Sequence, residues 1–310
     1  MKISVLITTY CRDWALQYSL SSLANQKRLP DEVLIVIKPC SDESEKVISR
    51  FRNLLPLKII YQNSSGNVVD AYELGYLNAS GDVILFLDDD AVAHEEWVLR
   101  YERLFNENVD AAGFTGLVYK AHLSNGSLIK TSELFYPKEL ARGGLHRRPL
   151  PELKNYFGYI STSGIMGRKP CDDVDLCKSV LFGGVNMGFR TSLIKDLKLS
   201  VLYRKSRKGF WSENIMAYWC VKKNFKTYEV ISKEISPIVW HIEHPSSLTR
   251  GKGFSSEFWL HYDRVASFWR LRKLGADVST SRYILALVIM LRRKIIPRLL
   301  ATLYGLIAKV

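Results

Sequence analysis

Three consecutive carboxylates, Asp88, Asp89 and Asp90, follow the apolar stretch 83–87. Anions packed this closely repel one another unless a cation joins them. Hard oxygen ligands beside a substrate diphosphate suit Mg2+ or Mn2+. In an extended chain Asp88 and Asp90 point the same way, because side chains alternate with period two. The same triplet would also serve as a solvated acidic turn or a helix N-cap. Further on, Glu213 follows the basic cluster Arg204-Lys-Ser-Arg-Lys208, and His241 and His244 lie three apart after the strand-like 238–240. The basic cluster is open to two uses, holding a phosphate on an acceptor or solvating a loop.

Elements able to position these groups alternate through the first hundred residues. Residues 3–8, 33–37, 57–61 and 83–87 read as buried strands. Between them the pattern predicts four helices. The first is capped by Asp13 and carries Leu16, Leu20 and Leu23 on one face. The second is opened by Asp42 with Glu45 as a capping box. The third covers 67–78, and the fourth covers 94–105. Near-continuous apolar strands separated by helices predict an α/β fold with a mostly parallel sheet covered on both faces. The triplet then sits at the carboxyl end of the fourth strand, in the crevice where such sheets bind ligands. From 112 to 180 the signals weaken to short strands at 116–119 and 128–134 among long loops. Residues 181–190 lead into a helix, 211–224 form another, and 227–231 read as a strand.

Several segments, taken together, resemble the family 2 glycosyltransferases. They are Ile3-Ser-Val-Leu-Ile-Thr-Thr-Tyr-Cys-Arg12, Asp31-Glu-Val-Leu-Ile-Val36 and Ser80-Gly-Asp-Val-Ile-Leu-Phe-Leu-Asp-Asp-Asp90, then Gly183-Gly-Val-Asn-Met-Gly-Phe-Arg190, Trp211-Ser-Glu-Asn and Val239-Trp-His-Ile-Glu-His-Pro245. The resemblance covers roughly residues 1–250 and implies a GT-A nucleotide-binding fold. It implies inverting transfer of a sugar from a nucleoside-diphosphate sugar to a hydroxyl, with Mn2+ or Mg2+ as cofactor. Thr8, Thr9 and Tyr10 would line the nucleotide pocket, with Arg12 and Asp89 also on the donor side. Asp88 would hold the ribose or the metal, and Asp90 would ligate the metal. Gly183 and Gly184 would let the backbone approach the donor sugar. Glu213 falls where the family places its catalytic base, and His241 near a late histidine that completes the metal site in some members. Two departures stand out. Where the family has an acidic residue gripping the base, this chain has Ile37, then Lys38 and Pro39. Its usual Glu-Asp pair is Ser212-Glu213.

The expected organisation is a GT-A domain over 1–250, with a nucleotide-binding half (1–115) and an acceptor half (116–250), followed by a helical extension over 251–310. The formal charge of +13 is unevenly spread, at −6, +11 and +8 over these three stretches. The second half therefore suits an anionic partner. An anionic membrane surface and a lipid-linked or saccharide acceptor are the expected partners. The tail 282–310 is apolar but broken by Arg292, Arg293, Lys294, Pro297 and Arg298, too short between charges to span a bilayer and suited to its interface.

Two rivals are weaker. A sugar-phosphate nucleotidyltransferase wants a glycine-rich basic loop after the first strand, where this chain has Thr-Thr-Tyr-Cys-Arg. A non-catalytic membrane- or nucleic-acid-binding protein would not place its acidic cluster at the ligand crevice, so no nucleic-acid partner is expected. Five scattered cysteines with no CxxC read as reduced thiols, with Cys171–Cys177 the one pair near enough to bridge in an oxidising compartment. With a strand-like N-terminus in place of a signal peptide, the expected location is cytoplasmic, peripheral at the membrane.

Overall fold

Ile3, Val5 and Ile7 of β1 (Ile3–Thr9) enter one hydrophobic cluster and Leu6 enters another, so this strand buries both faces. The same alternation runs through β2 (Glu32–Ile37) and β4 (Val83–Leu87). Together with the more exposed β3 (Leu57–Tyr61), they pair in parallel in the order β4-β1-β2-β3. The structure is a computed structural model and describes residues 1–135, 148–171, 173–244, 253–291 and 295–308. The tail residues Arg292, Arg293 and Lys294 lie outside them, as does Pro245.

Helix α1 (Asp13–Ala24), α2 (Ser44–Ser49) and α4 (Trp97–Glu107) cover one face, and α3 (Val68–Asn78) covers the other. The capping box falls on α3 rather than α2. Asn67 Oδ1 accepts from Val69 N at 2.7 Å, and Asp70 Oδ2 accepts from Asn67 N at 2.7 Å. Asp42 instead accepts from Ser44 N at 3.2 Å, Ser44 Oγ at 2.8 Å and Asp13 N at 3.1 Å. That carboxylate joins two helix starts, so it is spent on backbone donors.

Beyond β4 the chain builds β5 (Ala91–Ala93), β6 (Ala111–Thr115), β7 (Leu117–Ser124) and β8 (Ser127–Leu134). A hairpin of β9 (Gly158–Ile160) and β10 (Met166–Arg168) follows, then β11 (Leu176–Lys178) and β12 (Asn186–Arg190). Short helices α5 (Thr191–Ile194) and α6 (Leu199–Leu202) precede α7 (Ser212–Lys222), β13 (Lys226–Val230) and β14 (Ile238–Ile242). Among the described residues the main sheet has eight strands, ordered β11-β13-β6-β12-β4-β1-β2-β3. It is mostly parallel, but β12 runs antiparallel between β4 and β6, and β11 antiparallel to β13 at the edge. A second sheet, β5-β14-β7-β8, stands beside it. Asn186, fully buried, joins the two. Its Nδ2 donates to Leu117 O and Pro237 O, and its Oδ1 accepts from Trp97 Nε1 and Tyr101 Oη.

The C-terminal helices are α8 (Phe254–Lys273), α9 (Thr280–Met290) and α10 (Ile295–Ala308). Leu271 of α8 belongs to the same buried cluster as Ile215 and Met216 of α7. No described helix is long and apolar enough to cross a membrane.

The reading of the cysteines as reduced thiols is corrected. Cys11–Cys40 and Cys171–Cys177 are disulfides, with Cα atoms 5.6 and 6.0 Å apart, and Cys220 alone is a free, buried thiol. The first pair is 29 residues apart in sequence and becomes adjacent only because β1 and β2 are neighbours.

Candidate active site

The acidic triplet sits where β4 ends. The chain turns after Leu87, with Ala91 N donating to Asp88 O at 3.1 Å, so strand alternation does not set the carboxylate directions. The turn is held from α1. Ser19 Oγ lies within 2.7 Å of Asp89 O and Ala91 O and 3.2 Å of Asp88 O. Antiparallel pairing of β14 with β5 sets His241 opposite Ala91, and Ile242 N donates to Asp90 O at 2.8 Å. A histidine about 150 residues downstream is thereby brought to the triplet.

His241 Nε2 stands 3.1 Å from Asp90 Oδ1, and His244 Nε2 stands 2.6 Å from Asp90 Oδ2. Arg12 Nη1 donates to Asp89 Oδ1 at 2.9 Å and to Asp90 Oδ2 at 2.8 Å. Asp89 and Asp90 are buried and Asp88 is partly so. Desolvation and the Asp90 charge push Asp88 and Asp89 above the carboxylate range. Burial acts on Asp90 as well, but His241, His244 and Arg12 outweigh it and hold that carboxyl far below. Burial also opposes the His241 imidazolium, yet Asp90 prevails and raises its pKa. One carboxylate thus collects the protein's own positive charge while its neighbours remain under-compensated.

Asp88, Asp90 and His241 each offer a ligand atom, all within 4.8 Å of one another. His241 Nδ1 is buried without a hydrogen-bond partner, a costly condition that a bound cation or water relieves. Such an oxygen and nitrogen donor set fits a divalent ion.

The other expected site residues lie around this cluster. Thr9 is buried, its hydroxyl without a hydrogen-bond partner, and Thr8 is partly buried. Tyr10 is exposed, with Lys38 Nζ 4.9 Å from its ring centroid. Cys11 between Tyr10 and Arg12 has φ 53°, a left-handed conformation uncommon outside glycine. Asn186 pairs with Leu87, so Gly183 and Gly184 enter β12 just beside Asp88. Both glycines are partly exposed, and Gly183 N donates to Thr115 Oγ1 at 3.3 Å.

Glu213 opens α7, its Oε2 accepting from Ser212 Oγ at 3.3 Å. Lost hydration is the main cause lifting its pKa to about 7, with the Asp88 and Asp263 charges adding to it. A carboxyl of that kind is matched to proton transfer near neutrality. Ile37 is buried, and the Asp42 carboxylate accepts from Ser44 and from Asp13 N. Sequence reasoning ranks His244 below His241 as a ligand and leaves Ser19 and Asn186 without a role. The first had a signal in its spacing from His241, and the other two had none.

The sequence model described as "Glycosyl transferase family 2" matches residues 4–196. The chain belongs to that family. It is 37% identical over 92 residues to the uncharacterized glycosyltransferase YwdF of Bacillus subtilis, a match covering 29% of this chain and 33% of the relative. It is 26% identical over 120 residues to the glucosyl-dolichyl phosphate glucuronosyltransferase of Haloferax volcanii, over 38% of each chain. The chain thus spans about a third of the length of these curated relatives. The solved structure of the mannosyltransferase PcManGT from Pyrobaculum calidifontis, in complex with GDP-Man and Mn2+, aligns over 99% of this chain and 74% of its own, with TM-score 0.54. At 12% identity that likeness is one of fold. The family 2 chain has the GT-A fold.

Proposed function

We propose that this glycosyltransferase moves a hexose, with inversion, from a nucleoside-diphosphate sugar to a hydroxyl of a lipid-linked or polysaccharide acceptor. The observation that carries this reading is the convergence of Asp88, Asp90 and His241 at the exit of β4. These three would hold Mn2+ or Mg2+, which supplies Lewis-acid stabilisation of a departing diphosphate. The acceptor oxygen forms the new bond to the anomeric carbon, the bond to the diphosphate oxygen breaks, and its electron pair leaves with the diphosphate. Glu213 takes the acceptor's proton, a role supported by its pKa of about 7 and by its place at the start of α7. Thr8, Thr9, Tyr10 and Arg12 form the nucleotide side, and Gly183 and Gly184 leave room for the sugar. PcManGT's complex with GDP-Man and Mn2+ supports the donor and the metal. The test is thermal unfolding against a panel of nucleotide sugars, with Mn2+ or with chelator. A donor at a hundred times its Kd adds about 2.7 kcal/mol, so at least one should raise the midpoint with Mn2+ and lose that effect after chelation. No shift with any donor would overturn the reading.

We further propose that the acceptor is met at the cytoplasmic face of a membrane. The membrane part of this reading is supported by the exposure of Ile284, Val288, Ile295, Ile296, Leu303 and Ile307 on α9 and α10 and by the lack of any acidic residue after Asp277 in the sequence. Apolar helix surface flanked by arginines binds anionic lipid by burial and charge together. The full-length protein should float with vesicles containing about a third phosphatidylglycerol and be released by Ile296→Glu with Ile307→Glu. Failure of the unaltered protein to float at low salt refutes the anchoring.

A further inference from the structure

Residues 203–211 connect α6 to Glu213, and two of them hold left-handed backbone, Gly209 at φ 63° and Trp211 at φ 69°. A tryptophan pays a steric penalty there, so the conformation needs outside support. The support comes from α8, more than fifty residues later in the sequence. Asp263 and Arg270, both fully buried, pair at 2.7 Å. Arg270 Nε donates to Leu202 O at 3.0 Å, and its guanidinium lies 3.6 Å from the Tyr203 ring centroid. Asp263 Oδ2 accepts from Ser206 Oγ at 2.8 Å and from Phe210 N at 3.0 Å. Ser206 Oγ in turn accepts from Gly209 N at 2.8 Å. Both ends and the middle of the loop are thus tied to one ion pair on a helix outside the stretch matched to the family.

We propose that Asp263, backed by Arg270, is a positioning residue for the transfer reaction, holding residues 203–211 in the conformation that presents Glu213 to the acceptor. The inference rests on Glu213 as the base proposed above. The helix read from sequence as an extension towards the membrane is then also part of the catalytic apparatus. A buried ion pair does not require such a role, since well-packed apolar groups stabilise as well or better. The hydrogen bonds that Asp263 accepts from the loop are what a stabilising pair alone would not need.

The test uses the full chain and three variants, Ser206→Ala, Asp263→Asn and Glu213→Gln. Ser206→Ala removes two loop hydrogen bonds and leaves the ion pair intact, so it decides the matter if Asp263→Asn does not fold. Displacing a catalytic group by about an ångström costs on the order of 10²-fold in rate. The expected result is a fall in kcat of at least tenfold for Ser206→Ala and more for Asp263→Asn. KM for the nucleotide sugar should stay within about twofold, because donor binding lies on the other loops. Trypsin should also cut faster after Arg204, Lys205, Arg207 and Lys208 in the folded variants. Unchanged kcat in folded Ser206→Ala and Asp263→Asn, with Glu213→Gln inactive, overturns the positioning role and leaves the base standing. Full turnover by Glu213→Gln overturns the base and this inference with it. A parallel loss of kcat, donor binding and thermal midpoint in Ser206→Ala would mark a purely structural contact and also overturn it.

Discussion

Asp90→Asn is expected to lower sugar transfer to below about a thousandth of the wild-type rate, since losing about 4 kcal/mol of Lewis-acid stabilisation is a factor of roughly 10³. The amide keeps the shape of the carboxylate but cannot balance a cation. The Mn2+-dependent rise in thermal midpoint should vanish with the activity. Stability of the metal-free protein should move in opposite directions at neighbouring positions. Asp90 has its pKa depressed by His241, His244 and Arg12, so its charge stabilises the fold above the unfolded carboxylate pKa, and Asp90→Asn lowers the midpoint at pH 8. Asp88 has its pKa raised by desolvation and by Asp90, so its charge costs stability as pH rises through that value, and Asp88→Asn raises the midpoint at pH 8. Differential scanning calorimetry with chelator present reads both signs. Retained turnover by Asp90→Asn would remove the metal role from this site.

Glu213→Gln should reduce kcat by about 10²–10⁴-fold, the range a positioned general base supplies. Donor KM and the Mn2+-dependent midpoint should be close to wild type. The pH profile gives a sharper reading. The base must be ionised to accept a proton, and its pKa is lifted from the ordinary 4.5 to about 7. Wild-type kcat/KM should therefore fall about tenfold per pH unit below that point, and the residual rate of Glu213→Gln should lack this limb. Because the raised pKa means that the charged carboxylate is disfavoured by the fold, Glu213→Gln should not lower the thermal midpoint at pH 8. A wild-type acid limb that survives in the variant would assign it to another group.

The parts of this molecule that were legible in sequence are those governed by local pattern. Strands β1 to β4 announce themselves through continuous aliphatic residues, and α3 through its spacing, because each element buries a defined face. The position of the triplet followed from strand order alone. What escaped was set by pairing across long separations. Residues 181–190 do lead into a helix, α5, but local pattern does not show that 186–190 form β12, inserted antiparallel between β4 and β6. His244 gained its contact with Asp90 only because β14 lies against β5. The expected alternation of Asp88 and Asp90 failed because the chain bends immediately after Leu87. The capping box moved from Asp42 to Asn67, since Asp42 is shared with the start of α1 across a loop. The disulfide between Cys11 and Cys40 is the same case in covalent form.

That cross-link also bears on how the protein must be handled at the bench. Tyr10 and Arg12 leave β1 on either side of a cysteine stapled to the segment after β2. Cleaving it frees the denatured chain of a 29-residue closure and frees the native loop to wander. Material purified in millimolar thiol and material purified without it should therefore be compared directly, with a difference in donor affinity as the expected result.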